Sequence, residues 1–469
     1  MNRFLRAALI LIILTSGMPL AASDGWFEND SLRYKIGQML IFGFLGNTVP
    51  DQIKTEIHEY NVGGVLLYRV YDNLQYTSQI QTLIADLQAA APIPLLIATD
   101  QEGGRVTNLR ASNGFENSPS AYELGRLTDE TTTRDVGSKF ATWFSGLGIN
   151  TDFAPVVDLR LQPDNVIGDR SYGAHPDTVF RNAYWFIDEF RKRDLITSVK
   201  HFPGHGSSIG DSHLGFTDVT DTWSEIELLP FQSLIDSGYV DMVMTAHIFN
   251  ADLDPLHPAT LSYSTITELL RDSLAFDGVV VTDAMLMKAV TDHYGVEESI
   301  TMAVNAGCDL ILYNWDDDLN DNRLAPLFVN HVEQEVLAGT IPMQRIEESY
   351  RRILRLKSRL PANTLVPDHE PIVPKEFDVA CFPNPFNSRT NIEYRLENPS
   401  EVRGTVYNLL GRPVRALIQG IQPAGNHRLL WDATDDVGNT VPSGPYLFRL
   451  LVRQEHEMSA RTLKLYYIE

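Results

Sequence analysis

The chain has 469 residues, 43% of them hydrophobic and 21% charged, the balance of a folded globular protein rather than a disordered one. Its 61 acidic and 38 basic side chains give a net charge of −23, which repels phosphate backbones and anionic lipid and argues against nucleic acid or a membrane surface as partner. Two cysteines, Cys308 and Cys381, are too few for a disulfide scaffold or a multi-thiolate zinc site.

In chain order, residues 1–23 come first. Arg3 and Arg6 precede an apolar run from Ala7 to Leu14, and the small residues Ala21, Ala22 and Ser23 follow. Basic, apolar, small is the layout of a secretory signal peptide, and the run falls short of the about 20 residues that span a bilayer. An uncleaved N-terminal anchor is the competing reading. No later segment is long and apolar enough to span, so the mature protein is expected to be exported to the periplasm, the cell surface or the medium, with its two cysteines unpaired.

From Ser31 to Leu360, apolar β-rich runs alternate with helical patterns. The runs lie at 38–44, 62–68, 94–100, 151–158, 196–202, 241–248, 278–284 and 308–314. Near-continuous apolar runs mark strands buried on both faces, as a parallel sheet requires. Helical stretches between them include TSQIQTLIADLQAA, SPSAYELGRL, TVFRNAYWFIDEFRKR, ELLPFQSLIDSG and SITMAVNAG. Eight such units predict a (β/α)8 barrel of the TIM type over residues 24–360. An open doubly wound sheet is the alternative, but no GxGxxG follows the first strand to recommend it.

Asp100, Asp158, Lys200, His201, His247 and Asp283 all fall at the C-terminal ends of these runs, the end where barrel enzymes build their sites. After the fifth run the chain reads KHFPGHG from Lys200 to Gly206 and then DSH from Asp211 to His213. Three histidines and an aspartate invite a metal reading. However, His201 and His205 flank Pro203-Gly204 and cannot share a helix face as the HExxH pattern needs. The other reading is a proton shuttle, with Asp211 polarising His213. Asp283 in VVVTDAMLM is placed either as a nucleophile toward an acetal carbon or as a helix cap for the stretch from Ala284. Asp100 and Arg170 lie beside glycines and suit convergent hydrogen bonding to sugar hydroxyls; each alone also fits a structural salt bridge.

DQEGGRV at 100–106, FAPVVD with VIGDRSYG at 153–173, KHFPGHG with DSH at 200–213, TAHI at 245–248, TDAMLM at 282–287 and NAGCDLIL at 305–312 together resemble glycoside hydrolase family 3, in particular its β-N-acetylglucosaminidase (β-N-acetylhexosaminidase) branch. The likeness covers about residues 30–358 with every motif in order. It implies a retaining mechanism through a covalent glycosyl-aspartate, with Asp283 as nucleophile, His213 as general acid/base and Asp211 orienting it. It further implies Asp100, Arg170, Lys200 and His201 as the residues that hold the terminal sugar, with no cofactor and no metal. Two positions depart from the pattern. HLGFTD stands at 213–218 where relatives often carry leucine-proline, and TDA stands where many carry TDD or SDD; both bear on substrate preference.

Composition shifts after Leu360. Pro361, Pro367, Pro371 and Pro374 disfavour helix and read as an extended linker over 361–376. Alternating runs NIEYRLE, VRGTVYN, NHRLLWDA, PYLFRLLV and RTLKLYYI follow, with turns at Asp435 to Asn439 and at Ser443-Gly444, predicting a small β-sandwich over 377–469. FPNPF, VYNLLGRPV and WDATDDVGNTVPSGPYLFRL resemble the Ig-like C-terminal sorting domain of the type IX secretion system, which implies the secretion machinery as a partner. A plain Ig-like spacer or carbohydrate-binding module is the alternative.

The resulting expectation is an exported exo-β-N-acetylglucosaminidase removing terminal GlcNAc from peptidoglycan fragments or chitin oligosaccharides. A β-N-acetylglucosaminide phosphorylase, another family 3 β-glycosidase and a non-catalytic surface glycan-binding protein are the other readings.

Overall fold

A computed structural model describes residues 31–162, 166–209, 217–314, 324–360, 379–396, 398–408, 413–454 and 457–468. The expected signal peptide at 1–23 and the linker at 361–376 lie outside them. Among the described residues no helix is long and apolar enough to cross a membrane.

Eight strands form one parallel sheet. They are β1 Leu40–Gly43, β2 Gly64–Leu66, β3 Leu96–Thr99, β4 Thr151–Asp152, β5 Ile196–Phe202, β6 Met242–Thr245, β7 Val279–Val281 and β8 Ile311–Tyr313. The spatial order is β7-β6-β5-β4-β3-β2-β1-β8. A parallel bridge between Val281 and Leu310 brings the two ends together, so the expected eight-stranded barrel is what forms. Helices follow the strands, among them Asp51–Tyr60, Thr77–Ala90, Glu130–Leu147, Pro176–Arg191, Leu229–Asp236, Val296–Ala306 and Leu324–Ala338. The strands are buried throughout, because helices cover the outer face and Leu, Ile, Val and Phe side chains fill the interior.

The expected strand at 151–158 is a departure. Regular pairing stops at Asp152, and only an isolated bridge from Val156 to Lys200 continues it. Pro155 has no N–H to donate, so the ladder skips: the Phe153 amide donates to the Thr99 carbonyl at 2.9 Å and that of Val157 to the Lys200 carbonyl at 2.8 Å. The break frees Asp158 to turn inward.

The C-terminal unit has two antiparallel sheets. One joins β9 Val379–Phe382, β10 Thr390–Leu396 and β13 Gly425–Trp431. The other joins β11 Ser400–Tyr407, β12 Pro413–Gln422, β14 Gly444–Gln454 and β15 Glu457–Tyr467. Burial alternates strictly along β10, the period-two pattern of a strand with one face on a core. Its own core gathers Ile392, Val402, Trp431, Phe448 and Leu450. All five expected runs lie within or overlap these strands; β9 and β12 are additional.

Candidate active site

The site is built from strand ends. Asp100 and Glu102 follow β3, Lys200 and His201 are late residues of β5, His247 lies just past β6, and Thr282 and Asp283 follow β7. Each strand delivers its last residues to the same mouth because all eight run parallel, so polar groups far apart in sequence converge.

Lys200 and Arg170 meet two carboxylates there. The Lys200 Nζ donates to Asp100 Oδ1 and lies 2.7 Å from Glu102 Oε1. Arg170 grips Glu102 with both arms, Nε to Oε2 at 2.8 Å and Nη2 to Oε1 at 2.7 Å. Two planar groups facing each other in this way are a strong, directional pairing. Burial alone would raise the Glu102 carboxyl, but Arg170 and Lys200 overcome it and hold it well below the usual carboxylate range. Asp152 behaves oppositely: full burial, with Asp100 and Glu102 adding negative field, pushes its carboxyl well up from the usual range.

His201 sits at the next link. Arg170 Nη2 approaches its Nε2 at 3.3 Å and its Nδ1 lies 2.6 Å from Asp158 Oδ2. A guanidinium only donates, so Nε2 accepts and Nδ1 carries the proton toward Asp158. Burial, then the Arg170 and Lys200 charges, hold this imidazole well below the ordinary histidine range despite nearby Asp283. It is therefore neutral. Asp158 also accepts the backbone amides of His201 and His205, the latter at 2.8 Å, and so ties the KHFPGHG segment to the barrel.

The glycines of that segment answer to contacts. Gly204 has φ +122°, and a Cβ there would lie 2.6 Å from the Glu227 Cβ; at Gly206 it would meet the Leu159 carbonyl at 1.7 Å. Only glycine fits either place. Glu227 Oε2 accepts the Gly206 amide at 2.8 Å. Burial pushes the Glu227 carboxyl up to about 7, against the Ser207 and Gly206 hydrogen bonds and with Asp158 adding to the rise.

Asp283 is half-buried at the mouth. Its Oδ1 accepts the Ala284 amide at 2.7 Å, which fixes the carboxylate. Its charge reaches His201 and His205, raising the proton affinity of each. Asp100, Arg170, Lys200, His201 and Asp283 are thus brought to one barrel end. Asp211 and His213 lie outside the described residues. Glu102 and Glu227 are the site's unanticipated members, and Asp158 joins it as a strand-end carboxylate with no role assigned from the sequence. Glu102 stands inside DQEGGRV, but Glu227 on the following 3-10 turn carries no local signal. No cluster of three or more metal-ligating side chains occurs among the described residues.

A family model for the glycosyl hydrolase family 3 N-terminal domain matches residues 31–356, and one for the FlgD Ig-like domain matches 386–454. β-Hexosaminidase A of Pseudoalteromonas piscicida is 32% identical over 340 residues, covering 68% of this chain and 56% of that enzyme. The chain thus spans little more than half the length of this relative. β-Hexosaminidase LpqI of Mycobacterium tuberculosis is 33% identical over 340 residues, covering 71% of this chain and 84% of that one. The structure of a family 3 β-N-acetylglucosaminidase from a Paenibacillus species is similar at a TM-score of 0.68 and 35% identity, over 76% of this chain and 71% of the other. A closed parallel barrel, a cluster of ion pairs and histidine at its C-terminal mouth, and relatives of one kind lead to a single placement: the chain belongs to glycosyl hydrolase family 3, among its β-N-acetylhexosaminidases.

Proposed function

We propose that this chain is an exported, retaining exo-β-N-acetylglucosaminidase that removes terminal GlcNAc from peptidoglycan fragments or chitin oligosaccharides. The observation that carries the reading is the convergence of Asp283 with the Asp100–Lys200–Glu102–Arg170 cluster at one barrel mouth. In this reading Asp100, Arg170, Lys200 and His201 form the cradle for the terminal sugar. Asp100 is the most accessible of the two carboxylates and two cations, its side chain 12% exposed against 2% for Lys200, and so offers the first acceptor to a hydroxyl.

Chemically, the Asp283 carboxylate attacks the anomeric carbon while His213, oriented by Asp211, gives its proton to the leaving oxygen. The carbon–oxygen bond to the aglycone breaks as the ester bond to Asp283 forms. Water then attacks the same carbon, its proton passes to His213, and Asp283 departs as carboxylate. An imidazole in place of a second carboxylate lowers the repulsion toward an anionic acceptor, so phosphate is the alternative to water in the second step.

Export is supported by the basic–apolar–small order of residues 1–23 and by the FlgD Ig-like match. On this reading 24–360 form the catalytic unit, 361–376 a linker and 377–469 an Ig-like sorting domain that engages the secretion machinery.

Incubation with a chromogenic β-GlcNAc glycoside is expected to release the chromophore, and Asp283→Ala to lower kcat/KM by at least about 10⁴-fold. Near wild-type turnover in that variant would remove Asp283 from the chemistry. Product analysis with and without phosphate separates the two acceptors, since only phosphorolysis yields the sugar 1-phosphate. Binding of GlcNAc oligomers without turnover would instead support the glycan-binding reading.

A further inference from the structure

His247 is 1% exposed and lies directly past the end of β6. Its Nε2 is 3.0 Å from the Ala284 carbonyl. A carbonyl only accepts, so Nε2 carries a proton. Its Nδ1 is 2.8 Å from Thr260 Oγ1, on the 3-10 turn Ala259–Leu261. The Thr260 hydroxyl is 2.7 Å from that of Thr245, the last residue of β6. Thr245 Oγ1 in turn accepts the Asp283 amide at 3.4 Å. Both threonines are fully buried.

These contacts close a ring that is satisfied when the Thr260 hydroxyl turns to His247 Nδ1 and not to the Ala246 carbonyl. The Asp283 N–H donates to Thr245, Thr245 to Thr260, Thr260 to Nδ1 of a neutral His247, and Nε2–H to the carbonyl of Ala284. Each hydroxyl receives one proton and gives one. The Ala246 carbonyl, 2.9 Å from Thr260 Oγ1, is the acceptor that hydroxyl turns to if Nδ1 is protonated. The ring thus grips the peptide planes on both sides of the Asp283–Ala284 bond, and the amide within that bond aims the carboxylate through its contact with Oδ1.

We propose that His247 is a positioning residue for the reacting carboxylate, closing a hydrogen-bonded ring with Thr260 and Thr245 that fixes the backbone around Asp283. The proposal rests on the reading of Asp283 as nucleophile. Side chains that fold around a half-buried carboxylate by packing alone need no such directed chain, and a misplacement of about 1 Å at a reacting group costs on the order of 10²-fold in rate. A ring of buried donors also holds its geometry without reorganising during the reaction.

The test uses the full chain and two aryl β-GlcNAc glycosides, one with a poor and one with a very good leaving group. His247→Leu removes both ring bonds at similar size, His247→Gln restores an N–H donor, and Thr260→Val breaks the chain one link away. His247→Leu is expected to lower kcat about 10²-fold on both glycosides with little change in KM. His247→Gln should recover much of that loss, and the Leu/Val double variant should be no worse than either single one. A general-acid defect behaves differently, since a very good leaving group bypasses it. Wild-type kcat in His247→Leu, a loss that vanishes with the good leaving group, or fully additive losses in the double variant would each overturn the proposal. If His247→Leu does not fold, Thr260→Val carries the same readouts. Asp283→Ala is assayed alongside. Activity surviving there overturns the nucleophile reading, whereas its loss combined with normal His247 variants overturns only the ring.

Discussion

Glu102 shows how a single residue holds a charged site together. It bridges Arg170 and Lys200 with its side chain 2% exposed, so its removal would leave two cations facing each other out of water. Breaking such a buried pair typically costs about 3–5 kcal/mol. Glu102→Gln is therefore expected to lower thermal stability by that order and to depress activity, whereas Asp100→Asn, which touches one cation where Glu102 touches two, should depress activity with a smaller stability loss. Equal melting temperatures for Glu102→Gln and wild type would contradict this. Glu227 makes a pH-dependent case. Its carboxyl is raised in the folded chain to about 7, so the native state keeps a proton that the unfolded state releases near pH 4.5. Stability from this group is full below that point and is lost as pH rises toward 7, by about 3 kcal/mol in total. Glu227→Gln escapes that loss, so its stability relative to wild type should climb between pH 4 and pH 8 in paired thermal melts; parallel curves would refute the assignment. Of these residues the sequence marked Asp100, Lys200, His201, Arg170 and Asp283, whose strand-end positions and motifs stand out. Glu102 and Glu227 were hidden because a carboxylate's pairing is set by three-dimensional neighbours, not by its own position.

At the scale of elements, the segment after β5 is the most tightly specified. Asp158 holds the amides of His201 and His205, Glu227 holds that of Gly206, and Gly206 packs on the Leu159 carbonyl. A methyl group added at Gly206 has nowhere to go. Gly206→Ala should cost about 1–3 kcal/mol and reduce turnover, because the strain falls on the segment leading toward Asp211 and His213. Unchanged activity and melting in that variant would show the loop free to move. Long, strongly periodic elements were legible: the helix Thr77–Ala90 coincides with the stretch TSQIQTLIADLQAA. The helix Glu130–Leu147 was not singled out, since its Thr-rich start and Gly137 weaken helical propensity and packing against its neighbours decides the matter. The strand expected over 151–158 is too long because the apolar pattern runs on through Pro155, whose missing amide is itself legible in the sequence and interrupts the ladder.

For the whole molecule, the two largest hydrophobic cores among the described residues are one inside and around the barrel and one between the C-terminal sheets. That division was readable from the change from βα alternation to short alternating strands. Barrel closure was readable only as a count of eight units, because the pairing that seals it, Val281 with Leu310, joins neighbours in sequence through a helical excursion that leaves no local mark. What closure accomplishes is the convergence of β3, β5, β6 and β7 ends on one point, where Asp283 is proposed to form the covalent bond. A 5-fluoro N-acetylglucosaminyl fluoride measures this directly, because the ring fluorine slows both steps while the good leaving group lets the first proceed. Peptide mapping by mass spectrometry after such treatment is expected to find the sugar attached to Asp283 and inactivation proportional to labelling. A label on another carboxylate, or none from an enzyme that still turns the reagent over, would contradict the account.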